Sequence, residues 1–541
     1  MKKKNRDLDF WEILGFIFWG SLGLIIVVGL IFKYTSLDEK LLNFFENTDV
    51  FEQNKINYKI NLSDNTAVVI ESPNASGEIN IPSTITYKNE KYKVISIESK
   101  AFVSNTDLYK VNISEGIKQI NSRAFDNDYI LEVSIPNSIE YCSGDSFSQY
   151  IQGTLLNGFK YLGNENNPYV VLYRKDLNFT SSNVSISIPE GVRIIVSYRL
   201  LLYGATSITL PNSLVYFDSF SLLDSGSGYS VEYSATVQYI NIDEDTHLKE
   251  YVMDSLRYCN KLKHLYIPEC ITKLPSNLAE GLESLETINV HPNNSNYISP
   301  IDSNVLVEKS TNTLIIGGSR AIIPEGIKEI GQYAFYKKNI SSITIPSSVQ
   351  IVGDYAFFSC QKITNLIIPK SINIMGYGSL ESCTGLKKLV LPFVGRSINE
   401  NEDVNSSLSY VFGKIDGTYI AKFSLPDTKI YIDAKSPIVL KKYSLKVEAY
   451  EIYLLSNVSE INENAIYCKV KNVYISNNVR KITGEIFYND NTGYLGTEIT
   501  TNVYCESEKI IPGWILTWFN SKGTVFWNNN FESIKNEINN Y

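Results

Sequence analysis

The sequence predicts a repeat solenoid, a right-handed superhelix of short parallel β-strands, with one membrane-spanning helix at its N-terminal side. Three observations carry that expectation. Prolines return at positions 324, 346, 369 and 392, marking a unit of 22 or 23 residues. Each such unit holds a short strand of apolar, exposed, apolar pattern, as in Ile343-Thr344-Ile345 and Leu366-Ile367-Ile368. An uncharged run of 20 residues, 13–32, stands near the start of the chain.

The chain order begins with that apolar run. At 1.5 Å per residue, 20 residues span about 30 Å, the hydrocarbon thickness of a bilayer. Lys2, Lys3, Lys4 and Arg6 precede it, and the Lys/Arg excess on that side assigns residues 1–9 to the cytoplasm, 10–32 to the membrane and the remainder to the outside. A cleaved signal peptide and a buried core helix are the alternatives. The run exceeds a usual signal h-region, and VVGLIFKYTS after it carries no A-x-A-like site. Residues 33–55 read as a juxtamembrane stem.

The solenoid is expected over 56–392. Its clearest copies are PEGIKEIGQYAFYKKNISSITI (324–345), PSSVQIVGDYAFFSCQKITNLII (346–368) and PKSINIMGYGSLESCTGLKKLVL (369–391). Ala101-Phe102, Ala124-Phe125 and Ser146-Phe147 form one aligned series, and Ala334-Phe335, Ala356-Phe357 and Ser379-Leu380 a second. A unit this short cannot bury its own apolar face, so it must stack on its neighbours. Period-2 alternation turns the first and third strand residues inward, and neighbouring units pair their strands in parallel. The following proline, lacking an N–H, ends the strand, while the Ile-Gly and Ala-Phe positions supply a second inward ridge.

The spacing departs from this rule at about 148–185 and 292–320, which read as hairpins or loops bulging from the stack, and at 393–450, an irregular insertion. Repeats resume over 451–527, ending in an aromatic cap with Trp514, Trp518 and Trp527. A polar tail, 528–541, closes the sequence.

The recurring IPxS[IV]xxIGxxAFxxC pattern resembles the BspA-like, or type-5, leucine-rich repeat family over roughly 75–527. Phe393-Val394-Gly395, Phe412-Gly413, Tyr504-Cys505-Glu506 and Gly513-Trp514 also look like the terminal region of such bacterial surface proteins. The resemblance implies a curved leucine-rich-repeat solenoid displayed on the cell surface, an adhesive function and no catalytic set. Leu380 in place of Phe, and Gly378-Ser379 in place of a residue-Ala pair, depart from the pattern.

The middle residue of each strand is the one expected on the displayed face: Asn112, Ser134, Ser187, Thr209, Tyr266, Asn289, Ile322, Thr344, Ile367, Val390 and Tyr474. The first half of this lane is small or polar. Ile322, Thr344, Ile367 and Val390 form the candidate protein-binding face, because contiguous exposed apolar surface marks such sites. The alternative is that these side chains only stabilise the sheet or are covered by the 393–450 segment.

Other chemistry is poorly supplied. A net charge of −9 without clustered Lys/Arg argues against a nucleic-acid partner. Three His and seven Cys, with no CxxC spacing, give no metal constellation; His264, Cys259 and Cys270 fall at different solenoid angles. Cys360 and Cys383 occupy equivalent positions, and a ladder of free thiols is expected there over a disulfide. No enzymatic activity, cofactor or metal is expected. The functional expectation is a membrane-anchored surface protein binding an unknown protein ligand, with a structural envelope component that self-associates or contacts wall polymer as the alternative.

Overall fold

The structure is a computed structural model describing residues 48–176, 184–196, 205–217, 239–241, 260–276, 278–400, 405–416, 419–420, 423–467, 469–488 and 500–539. The expected membrane span at 10–32 and Cys259 lie outside these residues. Among the described residues no helix is long and apolar enough to cross a membrane. The chain divides into two compact units, Met1–Gln152 and Gly153–Tyr541.

Each unit is built from two rows of short parallel strands, called here the front and back ladders. In the first unit, Gly77–Ile81, Leu108–Ile113 and Glu132–Ser134 pair in parallel at the front. At the back, Glu90–Ile97, Gln119–Ile120 and Tyr141–Cys142 do the same. Side chains between the ladders stack layer on layer. The Phe102 and Phe125 rings lie 5.5 Å apart and those of Phe125 and Phe147 6.0 Å, all buried. Beside them runs a buried asparagine ladder absent from the sequence reading. Asn105 donates to the carbonyls of Ser72 and Ala75, and Asn127 to those of Phe102 and Asn105. Each amide thereby satisfies turn carbonyls that the stack removes from water.

In the second unit the Ala-Phe series behaves as the repeat predicts: the buried Phe335 and Phe357 rings stack at 5.1 Å with 1° between planes. The Ile-Gly positions bring backbones together. A Cβ on Gly353 would sit 2.7 Å from the Gln332 nitrogen, and one on Gly376 2.3 Å from that of Asp354. The departure at Gly378 also has a conformational reason. Its φ is +60°, and the equivalent Tyr333 and Tyr355 hold +58° and +53°, so glycine occupies a left-handed position its neighbours must enter at a cost.

Four features differ from expectation. Residues 48–53, assigned to the stem, form the strand Thr48–Gln53, which opens an antiparallel meander with Ile56–Asn61 and Thr66–Val69. The last of these pairs in parallel with Glu90–Ile97, so the meander starts the back ladder. The same device recurs where bulging hairpins were expected. Thr154–Leu156, Phe159–Leu162 and Val171–Lys175 run antiparallel, and the third pairs in parallel with Ile194–Ile195. Tyr297–Ile298, Val305–Glu308 and Thr313–Gly317 repeat the arrangement, feeding Glu329–Ile330, Ile351–Val352 and Ile374–Met375. Turn chemistry is the cause in two of the three: Asn54-Lys55 and Asn157-Gly158 both have two consecutive positive φ values, the geometry that matches strand twist.

The third difference is that only the first part of 393–450 is irregular. Lys388–Leu391, Phe423–Ile432, Val447–Leu454, Lys469–Ile475, Asn502–Cys505 and Val525–Phe526 form one continuous parallel front ladder. Ile430, Ile452 and Val473 are its buried, in-register residues. The fourth is the polar tail, which contains the α-helix Glu532–Asn539. In the segment read as an aromatic cap, Trp514 and Trp518 are buried, and Trp527 packs at 6.2 Å and 6.3 Å from them.

Candidate protein-binding site

The front ladder is interrupted at the candidate face. It stops at Thr287–Val290, paired on one side with His264–Ile267, and restarts at Asn365–Ile367, paired with Lys388–Leu391. Side chains of the third meander end it. Asn304 Oδ1 accepts from the Ile288 N–H at 2.9 Å, its Nδ2 donates to the Glu286 carbonyl, and Ser299 Oγ donates to the Ile288 carbonyl at 2.9 Å. These are the groups a next strand would have engaged, so two polar side chains do the work of a strand edge. Ile322 and Thr344 then lie in segments that form no strand, and both are exposed, Ile322 at 63%.

A cleft of about 1450 Å³ opens at this interruption, bounded by Asn289, Ile301, Arg320, Ile322, Glu325 and Thr344 among others. Ile301, at the tip of the meander, is 92% exposed. It was missed in the sequence because a single Ile in the turn SPIDSN belongs to no repeat register. The cleft joins isolated apolar contacts to polar walls of both charges.

Ile367 and Val390 belong to different surroundings. Val390 is 3% exposed and packs with Tyr431, Tyr453, Leu455, Phe531 and Ile538, with Ile367, Tyr474, Tyr504 and Ile534 at the margin. The four candidate residues therefore do not share one exposed surface: Ile322 and Thr344 wall the cleft, while Ile367 and Val390 lie beneath or beside the terminal helix. The cover has a clear sequence cause. Phe531, Ile534 and Ile538 recur at helical spacing and fall on one side of the helix, against the front ladder. The earlier lane residues follow the polar expectation. Ser187, Thr209 and Asn289 are exposed, and Asn112 donates to Glu78 and Asn80.

Beneath that helix the lane becomes a column of tyrosines. Tyr431 and Tyr453 stack at 4.4 Å, Tyr453 and Tyr474 at 4.2 Å, Tyr474 and Tyr504 at 4.9 Å, and Tyr504 and Phe526 at 4.8 Å. The spacing is that of the ladder itself, one ring per layer. Glu451 pins the column, accepting from the Tyr453 hydroxyl at 2.6 Å, the Asn472 amide at 3.0 Å and the Tyr474 hydroxyl at 3.3 Å, and pairing with Lys429 at 3.0 Å. Burial pushes the Glu451 carboxyl up, but these donors outweigh it and hold it below the usual carboxylate range.

Two cysteines and a lysine of the second unit are committed to packing. Cys360 and Cys383 are free and buried, and each thiol donates to a carbonyl one layer back, Phe335 and Phe357 respectively, at 3.0 Å. Burial pushes the Cys383 thiol up to about 12, away from nucleophilic ionisation. At the equivalent place in the preceding layer stands Lys338, fully buried, whose ammonium donates to the Leu282 carbonyl. Burial lowers its pKa to about 7. His264 bonds to Thr287 Oγ1, and among the described residues no group of three or more His, Cys, Asp or Glu could hold a metal ion.

No curated protein matches the chain. Among solved structures, a leucine-rich cell surface protein of Faecalibacterium prausnitzii A2-165 is 16% identical, covering 91% of this chain and 97% of its own, with a TM-score of 0.32. The pneumococcal vaccine antigen PcpA is 17% identical, covering 89% and 99%, at a TM-score of 0.40. A leucine-rich repeat protein of Bacteroides ovatus is 16% identical, covering 84% and 94%, at 0.32. The overall superpositions are loose, and it is the repeats that settle kinship. The BspA type leucine-rich repeat region matches in six copies across 47–153, 177–300, 227–323, 319–429 and 424–493. With stacked Ala-Phe layers, Ile-Gly backbone contacts and that match over most of its length, the chain belongs to the BspA-type leucine-rich repeat family.

Proposed function

We propose that this chain is a membrane-anchored, outward-facing leucine-rich-repeat protein that binds a protein ligand at the cell surface, using the cleft beside Ile322 and Thr344. The observation that carries the reading is the interrupted front ladder. A regular solenoid face is a sheet of saturated backbone, whereas here Asn304 and Ser299 end the sheet and leave a recess with Ile301 and Ile322 exposed at its walls. Apolar anchors set in a polar rim are what protein interfaces use for affinity. The uncharged run at 13–32, with Lys/Arg ahead of it, supports the anchor and its orientation.

Two experiments test the reading. Protease shaving of intact cells, read by mass spectrometry, is expected to release peptides from 56–527 while residues 1–9 stay protected. Protection of 56–527 even on wall-stripped cells would overturn the outward orientation. Ile301→Asp with Ile322→Ser is expected to reduce capture of the ligand at least about tenfold, each exposed anchor contributing more than about 1 kcal/mol, with thermal unfolding unchanged. Undiminished capture by that folded variant removes the cleft from consideration.

A further inference from the structure

We infer that the tyrosine column on the front ladder is a second docking surface, one that takes an amphipathic α-helix, and that the C-terminal helix of the chain is its occupant in cis. This surface is separate from the cleft.

The column is unsuited to most other ligands. Its rings stack face to face, with 9°, 5° and 14° between the planes of Tyr431, Tyr453, Tyr474 and Tyr504. Ring faces are consumed by neighbouring rings, and the Tyr453 and Tyr474 hydroxyls by Glu451, so ring edges are what the column presents. A sugar ring stacks on an aromatic face and finds none here. Aromatic edges instead favour another ring's face, and Phe531 meets Tyr474 edge-to-face at 5.8 Å and 74°. Aliphatic side chains fill the rest, Ile534 and Ile538 packing over the column and Val390.

The helix that sits there defines what the surface accepts. It has eight residues, Glu532–Asn539, too few for an isolated helix to persist in water, so its order comes from docking. At 1.5 Å per residue it is about 12 Å long, which covers two to three layers of about 4.8 Å. One ion pair fixes its position: Lys535 Nζ lies 2.6 Å from Glu506 Oε1, the two side chains only 24% and 14% exposed. The recognised pattern is therefore an aromatic residue, an isoleucine three later, a lysine one further and a second isoleucine three beyond, on one side of a helix. A partner presenting that stripe would compete with the tail.

The probe is a fluorescein-labelled peptide of residues 528–541. It is titrated by fluorescence anisotropy against the intact chain, against the chain ended after Trp527, and against the full-length chain carrying Ile534→Asp and Ile538→Asp. The last variant covers the case in which the shortened chain fails to fold. A tethered segment has an effective concentration on the order of 1 mM. If the free peptide binds at about 10 μM, the intact chain should bind it roughly 100-fold more weakly than either altered chain. Glu506→Lys in the shortened chain should weaken the native peptide about tenfold, and a Lys535→Glu peptide should restore it. No saturable binding to either altered chain, equal binding to intact and altered chains, or failure of the reversed pair to rescue would overturn the inference. Self-association of the altered chains that excludes the peptide would also overturn it, assigning the face to a second copy.

Discussion

Replacing Lys338 by methionine should abolish the pH dependence of stability that this one side chain imposes, and so reverse which of the two proteins is the more stable between pH 6 and pH 10. The ammonium is fully buried beneath the Leu282 carbonyl, and burial lowers its pKa from 10.5 to about 7. A lysine depressed in this way penalises folding wherever the unfolded chain is protonated. The penalty is complete below the folded pKa, shrinks as pH rises between about 7 and 10.5, and is gone above that. At about 1.4 kcal/mol per unit, the depression amounts to roughly 5 kcal/mol below pH 6 and about 1 kcal/mol at pH 10. Lys338→Met removes the penalty but leaves the Leu282 carbonyl without its donor, at a cost of about 1–3 kcal/mol. The variant should therefore be the more stable protein by about 2–4 kcal/mol at pH 6 and the less stable one at pH 10. Urea unfolding followed by circular dichroism at pH 6, 8 and 10 reads the difference, and titrations common to both proteins cancel in it. A gap between wild type and variant that does not move with pH would refute the burial argument.

Phe357→Ala should cost about 3–5 kcal/mol, because the ring is buried and stacked on Phe335 with nothing able to refill its layer; a urea midpoint within error of wild type would contradict that. Asn304→Ala should destabilise by about 1–3 kcal/mol and speed hydrogen exchange at the Ile288 amide, which loses its acceptor. An unchanged Ile288 rate would mean that the cap is not what closes that edge. Cys360 and Cys383 should resist a disulfide reagent at pH 8 in the folded chain and react fully once unfolded, since both thiols are buried with raised pKa values. Prompt modification in the folded state would place them in a more open layer.

Much of the architecture could be read directly because the repeat is punctuated. Proline ends each strand, Gly331, Gly353 and Gly376 mark the backbone contacts, and Ala-Phe pairs mark the stacked rings. Residues 423–454 lost those marks while keeping the inward alternation at Ile430, Ile432, Ile452 and Leu454, so a regular pair of layers read as an insertion. The tail misled for a different reason: three apolar residues among Asn, Glu and Lys are a weak pattern until the tyrosine column gives them something to cover. The cleft was hidden most thoroughly. SSITI and TNLII look alike as strands, yet only Asn365–Ile367 pairs, because the ladder ahead of Ile322 is ended by an asparagine side chain in a neighbouring hairpin. Side-chain capping of a strand edge leaves no periodicity to detect.

The antiparallel meanders that open three stretches of back ladder bear on how the chain reaches its fold. Pairing two successive repeats in parallel requires closing a loop of one whole unit before any contact rewards it, an intrinsically slow step. The hairpins at Ile56–Asn61, Phe159–Leu162 and Val305–Glu308 need only short turns, and such hairpins form in about 1–10 μs. Each meander thus offers a preformed edge on which the next parallel strand can be laid. A chain of this length need not wait for a single nucleus: it has several local starting points, and a defect in one layer can be confined between two of them.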